Sequence, residues 1–373
     1  MKKKRLSILF SLLLLSGLVL SGCGSKDEGN NNQGAKDGGK DDESFSVAMV
    51  TDIGGVDDKS FNQSAWEGIQ AFGKEHNLKK GDGGYDYLQS KSDADYVSNL
   101  NALARRNFDL IFGIGFKLEK PIGEIADQRK NVHFGIVDSV VEKDNVVSIM
   151  FKEQEAAFLA GVAAAMETKT KNVGFVGGME SDVITRFEAG FRAGVASVDP
   201  SIKVQVNYTG AFDKADLGKS AANQIYSNGA DIIFHAAGAT GNGVFAEAKE
   251  RKQQNPDANV WVIGVDSDQY DEGTVEVDGK EYNITLTSAL KRVDLAVKDI
   301  AQKSMDGKFP GGTTVTYGLA DKGVELSTTG DHLSETTLTA VNDWKEKIIN
   351  GDVTPPGTKE DMESFLKDLG VTP

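Results

Sequence analysis

From Phe45 onward the chain alternates short apolar runs with amphipathic stretches, and that alternation leaves few folds open to it. The runs are Ser46–Thr51 (SVAMVT), Asp109–Gly113 (DLIFG), Val132–Val137 (VHFGIV), Asn172–Val176 (NVGFV), Asp231–His235 (DIIFH) and Val260–Val265 (VWVIGV). Each is apolar on both faces and rich in Val, Ile and Phe, the pattern of a parallel strand covered on both sides by helices. Between them lie Ser60–His76, Asp93–Arg106, Glu153–Glu167, Ser181–Val198, Lys214–Ser227 and Gly243–Gln253, each several helical turns long. Strand, helix, strand, helix implies a doubly wound α/β architecture. The series runs twice, opening at Ser46 and again at Asn172, and each first strand leads into a glycine turn, Gly54-Gly55 or Gly177-Gly178. A body of about 330 residues exceeds what one core usually covers, so two lobes facing a cleft are expected. In open α/β sheets the ligand sits beyond the carboxyl ends of the strands, so site residues should follow the runs closely. The segment Asp306–Ser327 resists assignment.

Two segments of different character precede this body. Lys2, Lys3, Lys4 and Arg5 are followed by an apolar stretch, Leu6–Leu20, broken only by Ser7, Ser11, Ser16 and Gly17. At 15 residues it falls short of the ~20 that span a bilayer and suits a signal peptide, residues 1–22. It ends in Leu20-Ser21-Gly22-Cys23, which resembles the bacterial lipobox. Small residues admit a peptidase, and a cysteine at the first mature position offers its thiol to a diacylglycerol. Cys23 is the only cysteine, which leaves no disulfide and no thiolate metal cluster. The next stretch, to residue 43, is Asn, Gly, Lys and Asp with Ala35 alone apolar. It cannot bury enough surface to offset its ordering and reads as a tether spanning roughly 25 Å. Loss of residues 1–22 leaves 351 and takes the net charge from −15 to −19. Such a surface repels nucleic acid, which is not an expected partner.

Asp52, Gly54, Gly55, Asp57, Asp58, Ser60, Phe61 and Asn62 follow the first run. The glycines permit a tight turn, and Asp57, Asp58 or Ser60 can cap the helix behind it. Phe61 then sits on the first helical turn, facing the cleft or stapled into its own lobe's core. Asp138 and Asp266 each end a run; a carboxylate there can accept bonds from hydroxyls or ring N–H groups, or serve as a turn residue. The glycine-rich Ala236–Gly243 can bring backbone amides to a ligand or simply turn the chain. Lys291 ends the strand-like Ile284–Leu290 and is a ligand or carboxylate partner, or a solvated lysine.

Enzymatic signatures are thin. The position before Lys59-Ser60 that a phosphate loop requires as glycine is Asp58, and upstream of Gly218-Lys219-Ser220 the required glycine is Asp213. Both lack a backbone cradle, and the acids would repel phosphate. His76, His133, His235 and His332 form no metalloprotease helix, and no serine elbow is present. No catalytic residue, metal site or cofactor is expected.

Taken together, Val50-Thr51-Asp52 with Gly55, then Asp57-Asp58-Lys59-Ser60-Phe61-Asn62, resemble the signature of the basic membrane protein family. So do Arg186-Phe187-Glu188-Ala189-Gly190-Phe191, Ala237-Gly238 through Gly241 and Gly243, Gly264-Val265-Asp266-Ser267-Asp268-Gln269, and Ser288-Ala289-Leu290-Lys291. The resemblance spans Phe45 to the C-terminus. It implies a type I periplasmic-binding-protein fold and a substrate-binding lipoprotein of an ABC transporter whose characterised branch binds purine nucleosides. By the same resemblance, Phe61 and Phe212 (in Gly210-Ala211-Phe212-Asp213) would stack on the two faces of the base. Asp52 and Asp138, with Asn62 close by, would meet its polar edge; Gly238, Asp266 and Lys291 would hold the ribose. Partners implied are the nucleoside, the permease with its ATPase, and a membrane reached through lipidated Cys23, the protein being a monomer on the extracellular face of a Gram-positive cell. The expected lobes are residues 44–150 with a return near 285–310, and 151–284 with 311–373. Competing readings are a sugar or signalling ligand on the same fold, a surface nucleosidase or glycosidase, and an adhesive antigen.

Overall fold

A computed structural model describes residues 45–371, so the signal segment, Cys23 and the tether lie outside the described residues. The first half runs β1 (Val47–Val50), α1 (Phe61–Glu75), β2 (Tyr85–Leu88), α2 (Asp95–Arg105), β3 (Leu110–Ile114), α3 (Glu119–Gln128), β4 (His133–Val137) and β5 (Val146–Phe151). Helix α4 (Glu153–Glu167) leads to β6 (Asn172–Gly177), α5 (Asp182–Val198), β7 (Lys203–Tyr208), α6 (Ala215–Ser227), β8 (Ile232–Ala236), α7 (Gly241–Gln254) and β9 (Trp261–Asp266). The hairpin β10 (Thr274–Val277) and β11 (Lys280–Asn283) precedes β12 (Thr285–Lys291), α8 (Val293–Met305), β13 (Thr314–Tyr317), β14 (Val324–Leu326), α9 (Glu335–Ile349) and α10 (Lys359–Asp368).

Two six-stranded sheets result, ordered β13-β5-β4-β3-β1-β2 and β14-β12-β9-β8-β6-β7. Every pairing within them is parallel except β12 with β14. Each sheet carries helices on both faces, as the doubly apolar runs require. The apolar runs became β1, β3, β4, β6, β8 and β9. The four outermost strands, β2, β13, β7 and β14, escaped the sequence reading for one reason. An edge strand is partly solvated, and Tyr85–Leu88 and Lys203–Tyr208 are half-buried or exposed throughout, so neither reads as an apolar run. Strand β5 was missed because only eight residues, 138–145, separate it from β4, with no helix between.

Sheet membership differs from the expected segmentation at two strands. Residues 285–291, expected to return to the first lobe, form β12 and pair with β9 of the second sheet. Residues 314–317, expected in the second lobe, form β13 and pair with β5 of the first. Helix α8 does pack on α1 of the first lobe. Strand pairing between distant segments leaves no periodic trace, so the chain's crossings between sheets were not readable. These crossings lie side by side: Lys152 N–H donates to Tyr317 O (2.9 Å), and Arg292 N–H to Gly323 O (2.9 Å).

Helix α4 is apolar almost all round and lies buried, with Ala156, Ala157, Phe158, Leu159, Ala160 and Val162 fully enclosed. It packs tightly on α5 because glycines stand at the contact. A Cβ on Gly194 would lie 2.0 Å from Phe158 O, and one on Gly161 2.2 Å from Phe191 O. The core cluster built on these helices includes Val47 and Met49 of one sheet and Val173 and Phe175 of the other.

Candidate functional site

The carboxyl ends of strands from both sheets converge on one cleft, with about 520 Å³ of empty space including its mouth. From the first lobe it is lined by Asp52, Gly54, Asp58, Phe61 and Asn62 after β1, Gly115 and Phe116 after β3, and Asp138 after β4. From the second come Val183, Ile184 and Phe187 of α5, Phe212 after β7, Ala236 ending β8 and Gly238 after it, Val265 and Asp266 at β9, and Lys291 ending β12. All eight residues singled out from the sequence (Asp52, Phe61, Asn62, Asp138, Phe212, Gly238, Asp266 and Lys291) therefore line one cavity.

The loop after β1 is organised around two carboxylates. Asp58, buried, caps α1: its oxygens accept from the N–H groups of Ser60 (3.0 Å), Asn62 (2.8 Å) and Gln63 (3.1 Å). The Asn62 side-chain amide then donates to both Asp58 Oδ2 (2.9 Å) and Asp52 Oδ1 (2.7 Å). Asp52 Oδ1 also accepts from Gly54 N–H (3.0 Å). Phe61 follows, and the Lys291 ammonium stands 4.9 Å from its ring centroid, within cation–π range.

Asp138 and Asp266 occupy equivalent places in the two lobes. Both end a strand, both are buried, and both adopt the left-handed conformation, with φ of 69° and 63°. A non-glycine residue held there is strained, and such strain concentrates at functional sites. Asp138 Oδ2 accepts from Lys291 Nζ at 2.5 Å, while its Oδ1 is buried without a protein partner. A buried carboxylate oxygen is costly to leave unpaired, so that atom is positioned for a ligand's donor.

Phe212 is seated by an absence. A Cβ on Gly178 would lie 2.2 Å from the ring's Cε1, so only glycine in the Gly177-Gly178 turn lets the ring lie there. Phe116 meets it edge-on, centroids 6.3 Å apart. Sequence reading missed Phe116, Phe187, Val183 and Ile184 as lining residues and took Asp58 only as a cap. Phe116 stands just past a strand end and could have been found there; Val183 and Ile184 are helix residues that a core explains equally well.

The second lobe clasps the loop of the first. Asn242 Nδ2 donates to Asp58 O (3.4 Å), Gln269 Nε2 to Lys59 O (3.0 Å), and Ser267 Oγ to Ser60 O (3.2 Å). The lobes are thus closed over the cavity.

Electrostatically the cleft is acidic: Asp52, Asp58, Asp138 and Asp266 line it with one cation, Lys291. Burial pushes Asp52 up to about 6. Burial also raises Asp266, to about 7, with Lys291 opposing and Asp58 and Asp138 reinforcing. Burial works against the charge of Lys291, but Asp138, Glu153 and Asp266 together outweigh it and hold the ammonium above its ordinary range, protonated. A carboxyl raised above its unfolded value binds its proton more tightly in the folded chain. Its contribution to stability is therefore full at low pH and is lost as pH rises from about 4 through about 7. The melting temperature of Asp266→Asn minus that of wild type, ligand-free, is expected to become more positive between pH 4.5 and 7.5. A difference that stays flat across that window would contradict the assignment.

The two facing lobes and the closed cleft at their strand ends define a solute-binding protein of the type I periplasmic-binding class. The chain belongs to the family described as "ABC transporter substrate-binding protein PnrA-like", whose profile matches residues 45–359. It is 52% identical over 358 residues to a Listeria innocua protein named "CD4+ T-cell-stimulating antigen", covering 95% of this chain and 99% of that one. It is 47% identical to a Lactococcus lactis protein named "ABC transporter nucleoside-binding protein BmpA", again covering 95% and 99%. A solved solute-binding protein of an ABC transporter system from Aeropyrum pernix superposes with a TM-score of 0.74 at 27% identity, covering 87% of this chain and 97% of that chain. The protein is a substrate-binding component of an ABC transporter, extracellular and membrane-associated, whose partners are a permease and its ATPase.

Proposed function

We propose that the cleft captures a nucleoside, a purine nucleoside foremost, and presents it to the permease. The observation that carries this reading is the meeting, in one acidic cavity, of Phe61 from one lobe and Phe212 from the other. A base stacks on aromatic faces with about 1–3 kcal/mol each. Its N–H groups suit Asp52 and the free Oδ1 of Asp138, and a ribose offers hydroxyls to Asp266 and to Lys291. Phosphate is disfavoured, because Lys291, the sole lining cation among the described residues, is already paired with Asp138. The name carried by the Lactococcus lactis relative supports the same ligand class.

The protein purified without its first 22 residues should release ultraviolet-absorbing material on denaturation. Its melting temperature should rise with adenosine, guanosine or inosine, and not with the matching monophosphates. Response to a sugar and to no nucleoside would overturn the reading. The nucleoside should be recovered intact after incubation; free base and ribose would mean a nucleosidase. Cys23 is the proposed lipid attachment point, and Cys23→Ser in the full chain should shift the protein from membranes to the medium. Membrane retention of that variant would remove the anchor from the proposal.

A further inference from the structure

What aims Lys291 into the cavity lies behind it. Its Nζ is 2.5 Å from Asp138 Oδ2 and 3.0 Å from Glu153 Oε1. Glu153 is fully buried and does not line the cavity. Its other oxygen, Oε2, takes Arg186 Nε at 2.5 Å. An ammonium carries three N–H groups. One is taken by Asp138 Oδ2, just past β4; Glu153 Oε1, at the start of α4, makes no hydrogen bond and holds the ammonium as an ion pair from behind, leaving hydrogens for the cavity.

The position of this pair in the chain adds to the argument. Glu153 follows Lys152, where the chain leaves the first sheet through α4; Lys291 precedes Arg292, where it leaves the second through α8. Lys152 (φ −94°, ψ 66°) and Arg292 (φ −80°, ψ 60°) share one backbone conformation, that of an inverse γ-turn. The Glu153–Lys291 contact therefore joins two of the crossings that connect the lobes. A carboxylate in a first helical turn also favours the helix through its dipole, and that role would act on α4 alone.

We propose that Glu153 is a positioning residue of the binding cleft: with its charge offset by Arg186, it anchors Lys291 from behind, aims the ammonium at a ligand hydroxyl, and ties that contact to the crossings between the lobes. Only the ligand part of the test rests on the nucleoside reading.

The test uses the chain from residue 23 onward. Glu153→Gln keeps the shape and an acceptor for Arg186 while removing the charge; Glu153→Asp keeps the charge and withdraws it. Calorimetric titrations compare inosine with 2′-deoxyinosine and 3′-deoxyinosine. In wild type, loss of the hydroxyl facing Lys291 should weaken binding about 10–100-fold, as for one charged hydrogen bond. In Glu153→Gln that penalty should shrink to a few-fold, with Glu153→Asp between the two. Equal weakening of all three ligands, or no change, would leave Glu153 a helix residue and overturn the proposal. A second measurement needs no ligand. The side-chain ammonium signal of Lys291, identified by its loss in Lys291→Arg, should exchange faster with solvent in both Glu153 variants. An unchanged signal overturns the proposal whatever the ligand. If wild type binds no nucleoside, the nucleoside reading fails, and the ammonium signal still decides the role of Glu153.

Discussion

Replacing Lys291 by alanine is expected to be the most damaging single change in the cleft. Lys291 is 1% exposed and is paired with two buried carboxylates, Asp138 and Glu153. Taking it away leaves Asp138, which burial already raises, without its hydrogen-bonded cation and removes from Glu153 the charge that lowers it most, leaving Arg186 as its cation. Breaking a buried pair by removing one partner typically costs about 3–5 kcal/mol. The loss should appear as a lower melting temperature and urea midpoint for the ligand-free protein. It should be partly recovered at acidic pH, where the two carboxylates can take up protons. Ligand affinity should fall as well, because the one lining cation is gone. A Lys291→Ala protein as stable as wild type at pH 7.5 would show that the ammonium is not the counter-charge that this geometry makes it.

The second large effect is on binding and leaves the fold nearly untouched. Phe212 is only half-buried, so Phe212→Ala creates no closed cavity in the core, and its stability cost should be small. A base stacked on the ring would lose about 1–3 kcal/mol, or roughly 5- to 150-fold in Kd. Gly178→Ala provides an independent check without changing the ring itself, since the added Cβ would lie 2.2 Å from Cε1 and must displace it. Both variants should weaken nucleoside binding with similar dissociation kinetics. Unaltered Kd values in both, alongside strong binding by wild type, would remove aromatic stacking from the proposed mode of capture. Phe61→Ala should act in the same direction, with an added loss from the Lys291 cation–π contact.

The two predictions share a logic in which each ring or charge is placed by a neighbouring residue. Gly178 gives Phe212 its seat, Asn62 spans Asp52 and Asp58, and Glu153 backs Lys291. Side chains locked in this way are pre-organised, and little entropy remains to be lost when a ligand enters. The three bonds from Asn242, Gln269 and Ser267 to consecutive carbonyls of residues 58–60 do the same for the closed loop.

Much of this was legible in the sequence because each lining residue at a strand end follows an apolar run whose end is easy to see. Asp52, Asp138, Gly238 and Asp266 were found that way. Phe212 and the roles of Phe61 and Lys291 needed the family resemblance, since a phenylalanine on a first helical turn and a lysine at a strand end read equally well as core and surface. Asp58 was seen as a helix cap and is one, yet it also lines the cavity; a sequence gives a residue one neighbourhood at a time. Glu153 carried no signal, because an acid in the first turn of a helix is ordinary, and its partners Lys291 and Arg186 are distant in the chain.

The sequence by itself determined the α/β class, the central strands other than β5, most helices and the strand ends where a site could be. These follow from local periodicity, which nearest neighbours impose. Only the tertiary structure decided which sheet owns Thr285–Lys291 and Thr314–Tyr317, that Asp138 and Asp266 are held in the left-handed conformation, and that Lys291 is a buried counter-charge in place of a solvated lysine. The physical reason is the same in each case: strand pairing, backbone strain and the pairing of buried charges depend on contacts outside the local sequence, some, as between Asp138 and Lys291, joining residues more than a hundred positions apart, and no local pattern encodes them.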